Sequence, residues 1–276
     1  MIWTAKLNYK VGTWLQIGYK MPECRRHIFL VPLKEINESF LNEIKTLASY
    51  KSEWISFLLS IQESNSYNWA LETFKSSQNI VVVQPDEMYG RTQHWTFIVK
   101  YANKHLTFDS FSYYFFGDEL RLKKFPLLDG KNDIYINDYH IDEWDKIKEN
   151  ASVSEIKWQT PNLIIRKSII AGKPLLAPLQ KIIFSKDMAN KITFTDEYSY
   201  VSDQLMIHDL ICNGAKVGFI KNPFYKINTS NRNYSNAISV SEVIKQQIYL
   251  YIRLKCLIGI PMVLMRTMVK HFFKIR

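Results

Sequence analysis

Cysteine is scarce in this chain: three residues, Cys24, Cys212 and Cys256, are scattered over 276 positions. An odd, widely spaced set makes neither a disulfide framework nor a metal-spaced pair, which points to a reducing compartment. No HExxH or CxxC occurs, so His94 and His208 have no partner at zinc-ligand spacing. No GxGxxG or GxxxxGK occurs either, and dinucleotide and P-loop chemistry lose their support. Internal repeats and low-complexity segments are missing. The longest uncharged run near the C-terminus, Cys256 to Met265, contains Gly259 and Pro261 and spans ten residues, against the ~20 needed to cross a bilayer. The opening MIWTAKLNYKVG lacks a continuous apolar core with a small-residue cleavage site, so no signal peptide is expected.

What is present is a folding composition, 47% hydrophobic and 14% aromatic, long enough for one large domain or two small ones. The net charge of +10 is uneven: residues 241–276 hold seven basic groups against the single acid Glu242. Such asymmetry suggests an acidic partner. No recognised nucleic-acid module accompanies the charge, so an anionic membrane surface is expected and nucleic acid is not. Arg266, Lys270 and Lys274 recur every four residues, which suits an interfacial helix on anionic lipid. The competing reading is a helix packed on the domain.

Along the chain, His27–Val31 reads as a strand stopped by Pro32. Ile36, Phe40, Leu41, Ile44 and Leu47 then form the apolar stripe of a helix. Strands are expected at 54–59 and 79–83, with a helix over 66–76 between them. A loop over Pro85–Arg91 leads to a helix over Thr92–Asn103, and Leu106–Phe108 reads as a strand ending on Asp109. This β-α-β-α-β-α-β order predicts a mainly parallel sheet with right-handed crossovers. A carboxylate at the C-terminal end of a buried strand is where open α/β sheets place ligand chemistry, which singles out Asp109. An aromatic turn and a helix start at Gly117–Leu120 are expected after it. Further on, strands are expected at 133–136 and 216–220, with a helix over Ser202–Cys212 ended by Asn213-Gly214. Residues 140–180 carry little signal.

Three blocks in order resemble family 2 glycosyltransferases: HIFLVPLKEINESFLNEIKTL, NIVVVQPDEMYGRTQHWTFIVKYANKHLTFDSF, and TFTDEYSYVSDQLMIHDLICNGAKVGFIKNPFYKIN. The resemblance implies an α/β, GT-A-like (Rossmann-related) domain with a mostly parallel sheet flanked by helices, followed by a C-terminal amphipathic helix. With the charge of the tail, it divides the chain into an N-terminal extension (1–26), a transferase domain (27–235, with nucleotide-sugar half 27–125 and acceptor half 126–235) and, from charge and spacing alone, a basic membrane-associating tail (236–276). It implies inverting transfer of a sugar from a nucleotide-sugar donor to a glycan or lipid-linked acceptor. The setting would be bacterial surface-polysaccharide synthesis on the cytoplasmic face of the membrane.

Residue by residue, the resemblance makes Asp203 the catalytic base. Pro32, Glu63, Ser64 and Asp109 become donor contacts, and Asp109 also a ligand for Mg²⁺ or Mn²⁺. The chain departs from the family where acids are usual: Phe111 and Ser112 stand in the acidic motif, and Ser202 replaces the first acid of the acceptor pair. Weak metal dependence is therefore expected, and a catalytically inactive homologue that binds a partner transferase or glycan is the alternative. Each residue also has a purely structural reading. Asp203 in a first helical turn capped by Ser202 is favoured by the helix dipole, Asp109 can form a turn, and Asp196 and Glu197 can either line the acceptor pocket or be a solvated acidic turn.

Overall fold

The apolar run at His27 builds β1 (Arg26–Leu33), the axis of the sheet. Its side chains alternate between two buried faces: Ile28 and Leu30 join one core, Phe29 and Val31 the other, as the two-residue period of a strand requires. The computed structural model describes residues 26–49, 55–106, 111–117, 120–122, 128, 130–137, 139–141, 146–148, 176, 178–220, 225–227 and 238–273. The N-terminal extension, up to residue 25, lies outside them.

Helix α1 (Glu38–Ser49) follows, started by Asn37, whose Oδ1 accepts from the Phe40 N–H at 2.9 Å. All five residues of its apolar stripe are buried, each such side chain stabilising the fold by roughly 1.5–3 kcal/mol. Then come β2 (Ile55–Ile61), α2 (Ser64–Phe74), β3 (Ile80–Val83), α3 (Arg91–His105) and β4 (Phe111–Phe115). Strand β1 pairs in parallel with both β2 and β4, and β2 with β3. Every residue of β2 is buried, the mark of a parallel strand covered on both faces.

The second half contributes β5 (Leu120–Leu122), β6 (Ile134–Asn137), β7 (Tyr139–Ile141), β8 (Lys146–Lys148) and β9 (Ile182–Ser185). After the short α4 (Lys186–Ala189) come α5 (Ser202–Cys212), β10 (Val217–Ile220), β11 (Tyr225–Ile227), α6 (Val240–Arg253) and α7 (Gly259–Phe273). The main sheet has seven strands in the order β10-β6-β9-β4-β1-β2-β3; β9 alone runs antiparallel to its neighbours. A small second sheet, β5-β11-β7-β8, stands apart from it.

Several expectations change. Pro32 does not stop β1; it sits inside it, opposite Ser60 of β2. The β1–β4 pairing ends at Leu30, so Pro32 lacks an N–H where no β4 partner needs one. Leu106 caps α3, and the described strand beside β1 runs from Phe111; the rest of the strand expected to end on Asp109 lies outside the described residues. The aromatic stretch is thus a strand, not a turn: Tyr113, Tyr114, Phe115 and Phe116 are buried. Leu120–Leu122 is likewise a strand, not part of a helix. The expected single tail helix is two, broken at Leu254–Ile258, where Lys255 has φ 51°. Leu250, Tyr251, Leu254, Cys256 and Val263 bury into the main core, so much of this pair packs on the domain.

Candidate functional site

The C-terminal ends of β2 and β3 carry a polar network around His94. Its imidazole is buried: Nε2 lies 2.7 Å from the Ser60 hydroxyl, and Nδ1 accepts from the Gln62 amide at 3.2 Å. Gln62 Oε1 accepts from the Tyr89 N–H, which orients the amide, so His94 carries its proton on Nε2. Burial pushes the His94 pKa down to about 4. The ring is therefore a neutral strut joining β2 to α3.

Beside it, the Gln84 amide donates to the Gln62 carbonyl at 3.2 Å and to the Ser64 hydroxyl at 3.0 Å. Glu63 is the N-cap of α2: its carboxylate accepts from the N–H groups of Asn65 at 2.9 Å and Ser66 at 2.6 Å. Those bonds lower its pKa. A carboxylate spent on two backbone donors is poorly placed to hold a nucleoside, so the structure gives Glu63 a capping role. Ser64 opens α2 just beyond the C-terminal end of β2.

Asp203 is the second centre. Helix α5 starts at Ser202, with Val201 as its N-cap; Ser202 is not the cap, because its hydroxyl accepts from the Thr195 N–H at 2.8 Å. Asp203 is buried, and its Oδ1 accepts from the Gln204 N–H at 2.8 Å. Burial raises its pKa to about 6, against the opposing pull of Arg91, the Gln204 hydrogen bond and buried Lys181.

Two side chains of α3 pull this segment to the C-terminal edge of the sheet. Arg91 donates to the Ser199 carbonyl at 2.5 Å, and Thr92 donates to Asp196. Asp196 is thus tied to the site, not merely a solvated turn. From the other side, Tyr200 N–H donates to Gln246 of α6 at 2.8 Å, and Tyr198 stacks on Tyr249 with centroids 3.7 Å apart. The structure therefore brings Asp203 and Ser64 to the same edge.

Asp109 lies outside the described residues. In chain order it precedes β4, whereas Phe116, Gly117, Asp118 and Glu119 follow it. Sequence reasoning missed Arg91, Lys181, Gln62 and Gln84. Arg91 had a signal: a cation in a first helical turn opposes the helix dipole, so something else must hold it there. Lys181, in a three-residue turn before β9, had none.

No protein-family model matches the chain, and no curated protein matches it in sequence. Among solved structures, residues 1–349 of S. aureus TarS align with a TM-score of 0.54 at 14% identity, covering 81% of this chain and 65% of that one. The same protein in complex with UDP gives 0.53 and 12%. This chain therefore spans just under two thirds of the TarS structure. Glucosyl-3-phosphoglycerate synthase from Mycobacterium tuberculosis, solved with Mn²⁺, UDP and glucosyl-3-phosphoglycerate, aligns at 0.51 and 10% identity, covering 85% and 86%. These neighbours are GT-A-type glycosyltransferases, and this chain has their fold: a seven-stranded, mostly parallel sheet flanked by helices.

Proposed function

We propose that this protein is an inverting, family 2-like glycosyltransferase that moves a sugar from a nucleotide-sugar donor to an acceptor hydroxyl. The observation that carries the reading is Asp203. A buried carboxylate titrating at about 6 is ionised at neutral pH yet basic enough to take a hydroxyl proton in the transition state. Arg91 and Lys181 favour that ionised form. Ser64, Gln62 and Gln84 surround the strand ends where the donor's nucleoside would lie.

Among the described residues no cluster of three or more His, Cys, Asp or Glu could hold a metal ion, and Glu63 is committed to its cap. The residues of the acidic motif, Asp109, Asp118 and Glu119, lie outside the described ones. Chain order favours Asp118 and Glu119 over Asp109 for any metal or diphosphate role, since they follow β4.

A role in surface-polysaccharide assembly on a glycan or lipid-linked acceptor, at the inner face of a bacterial membrane, follows from the resemblance. No described helix is long and apolar enough to cross a membrane. Exposed Leu257 and Ile258 at the α6–α7 corner, next to Lys255 and Arg253, support contact with an anionic lipid surface. The capping role of Glu63 favours one alternative, an inactive homologue that retains glycan binding.

Turnover across a panel of UDP-sugars separates the readings. Asp203→Asn should lower transfer at least ~100-fold while UDP binding survives. An equally active variant would remove Asp203 as the base. A wild type that binds glycan but transfers nothing would establish the inactive homologue.

A further inference from the structure

One face of α3, partly packed on the main core through Phe97 and Tyr101, carries a row of rings that the Asp203 site does not use. Phe97, Tyr101 and His105 are spaced four apart and so share one helical face; Tyr89, from the loop before α3, extends the row. Ring centroids lie 5.5 Å apart for Tyr89–Phe97, 6.0 Å for Phe97–Tyr101 and 4.4 Å for Tyr101–His105, at interplanar angles of 38°, 39° and 31°. Tyr89, Phe97 and Tyr101 are partly exposed and His105 is exposed. Together they line an open groove of about 710 Å³.

Polar groups are distributed along it in an ordered way. Gln84, Gln93 and Thr96 supply amides and a hydroxyl. Asp196 is held by Thr92 in the first turn of α3, and Asp86, from the loop before that helix, also lines the groove. Lys100 and Lys104 line it over the last turns of α3. From Gln93 to His105 the helix rises ~18 Å, too long a track for a single small metabolite.

We propose that this groove is a second carbohydrate site, which holds the glycan chain of an anionic acceptor with its negative units against Lys100 and Lys104. The proposal rests on the sugar-transfer reading, because the Asp196 end opens beside the segment that carries Asp203. Sugar rings present apolar C–H faces and a rim of hydroxyls, and the row of rings flanked by amides matches both. Rows of aromatic rings also stack nucleic-acid bases, but such grooves are positively charged along the backbone track. This one is also lined by two carboxylates, Asp86 and Asp196.

The test is calorimetric titration of the full chain with hexagalacturonate (anionic), maltohexaose (neutral) and a dT hexanucleotide, alongside UDP. Hexagalacturonate should bind at least ~10-fold more tightly than maltohexaose. Lys100→Gln with Lys104→Gln, both at exposed positions, should erase that preference and leave UDP affinity unchanged. Phe97→Ala with Tyr101→Ala should weaken both saccharides at least ~10-fold. Failure of wild type to bind either hexasaccharide, tighter binding of dT, or an unaltered preference in the lysine variant overturns the proposal. UDP binding without saccharide binding sinks the groove alone. Saccharide binding without UDP binding sinks the transferase reading and leaves a glycan site.

Discussion

Asp203 and His94 are buried within one edge of the sheet, yet they respond to pH in opposite senses. Asp203 ordinarily titrates at 3.8 and in the fold at about 6. Between those values the folded chain binds the extra proton, so this residue's contribution to stability falls as pH rises through the window, by about 3 kcal/mol. His94 moves from 6.5 down to about 4. Its contribution is complete above 6.5 and is lost as pH falls toward 4. Asp203→Asn should therefore gain stability over wild type between pH 4 and pH 6, read as the shift in urea midpoint; a gain that shrinks with rising pH contradicts the assignment. Transfer activity should rise through an acid limb near pH 6 that the same substitution abolishes. The position of the acid motif is tested separately. Asp118→Asn should reduce turnover more than Asp109→Asn across a Mn²⁺ titration, and the reverse order would favour Asp109 as the metal or diphosphate residue.

At the scale of elements, α6 matters more than a tail should. Gln246 holds Tyr200, Tyr249 stacks on Tyr198, and Arg253 lies 3.5 Å from Asp209 of α5. The helix thus braces the segment that presents Asp203. At the opposite edge, β10 carries Gly218 paired with Tyr135 of β6. A Cβ there would come within 2.6 Å of the Asn132 amide nitrogen and 2.9 Å of the Tyr135 ring. Gly218→Ala should cost about 1–3 kcal/mol, measured by urea unfolding, whereas an unchanged midpoint would mean that the edge shifts freely.

For the whole molecule, the bracing role of α6 decides how membrane binding must be tested. Truncation near Ser239 would remove Leu250, Tyr251, Leu254 and Cys256 from the core, so lost flotation would report unfolding. Leu257→Glu with Ile258→Glu leaves that core intact, since both side chains are more than 60% exposed. Flotation with anionic liposomes should fall sharply in this variant and be weak on neutral liposomes. Equal flotation of variant and wild type would place the contact elsewhere.

Hydrophobic period made the first half of the sheet legible from sequence: α1 was written in Ile36, Phe40, Leu41, Ile44 and Leu47, and α5 in the run from Ser202 to the Asn213-Gly214 stop. Strand β9 was not legible, because Ile182–Ser185 is a four-residue apolar run whose antiparallel place between β4 and β6 depends on distant partners. The short strands of the second sheet failed for the same reason. That Leu106 caps α3 was not legible, because it continues the apolar pattern, and only pairing with β1 shows that Phe111–Phe115 is the strand beside it. Asp203 was singled out by the resemblance of its block to the family's acceptor half, where acid, helix, glycine and strand follow one another along consecutive residues. Its raised pKa was not legible, since the burial that raises it and the counter-pull of Arg91 and Lys181 both depend on positions 91, 181 and 203, which only the folded chain brings together.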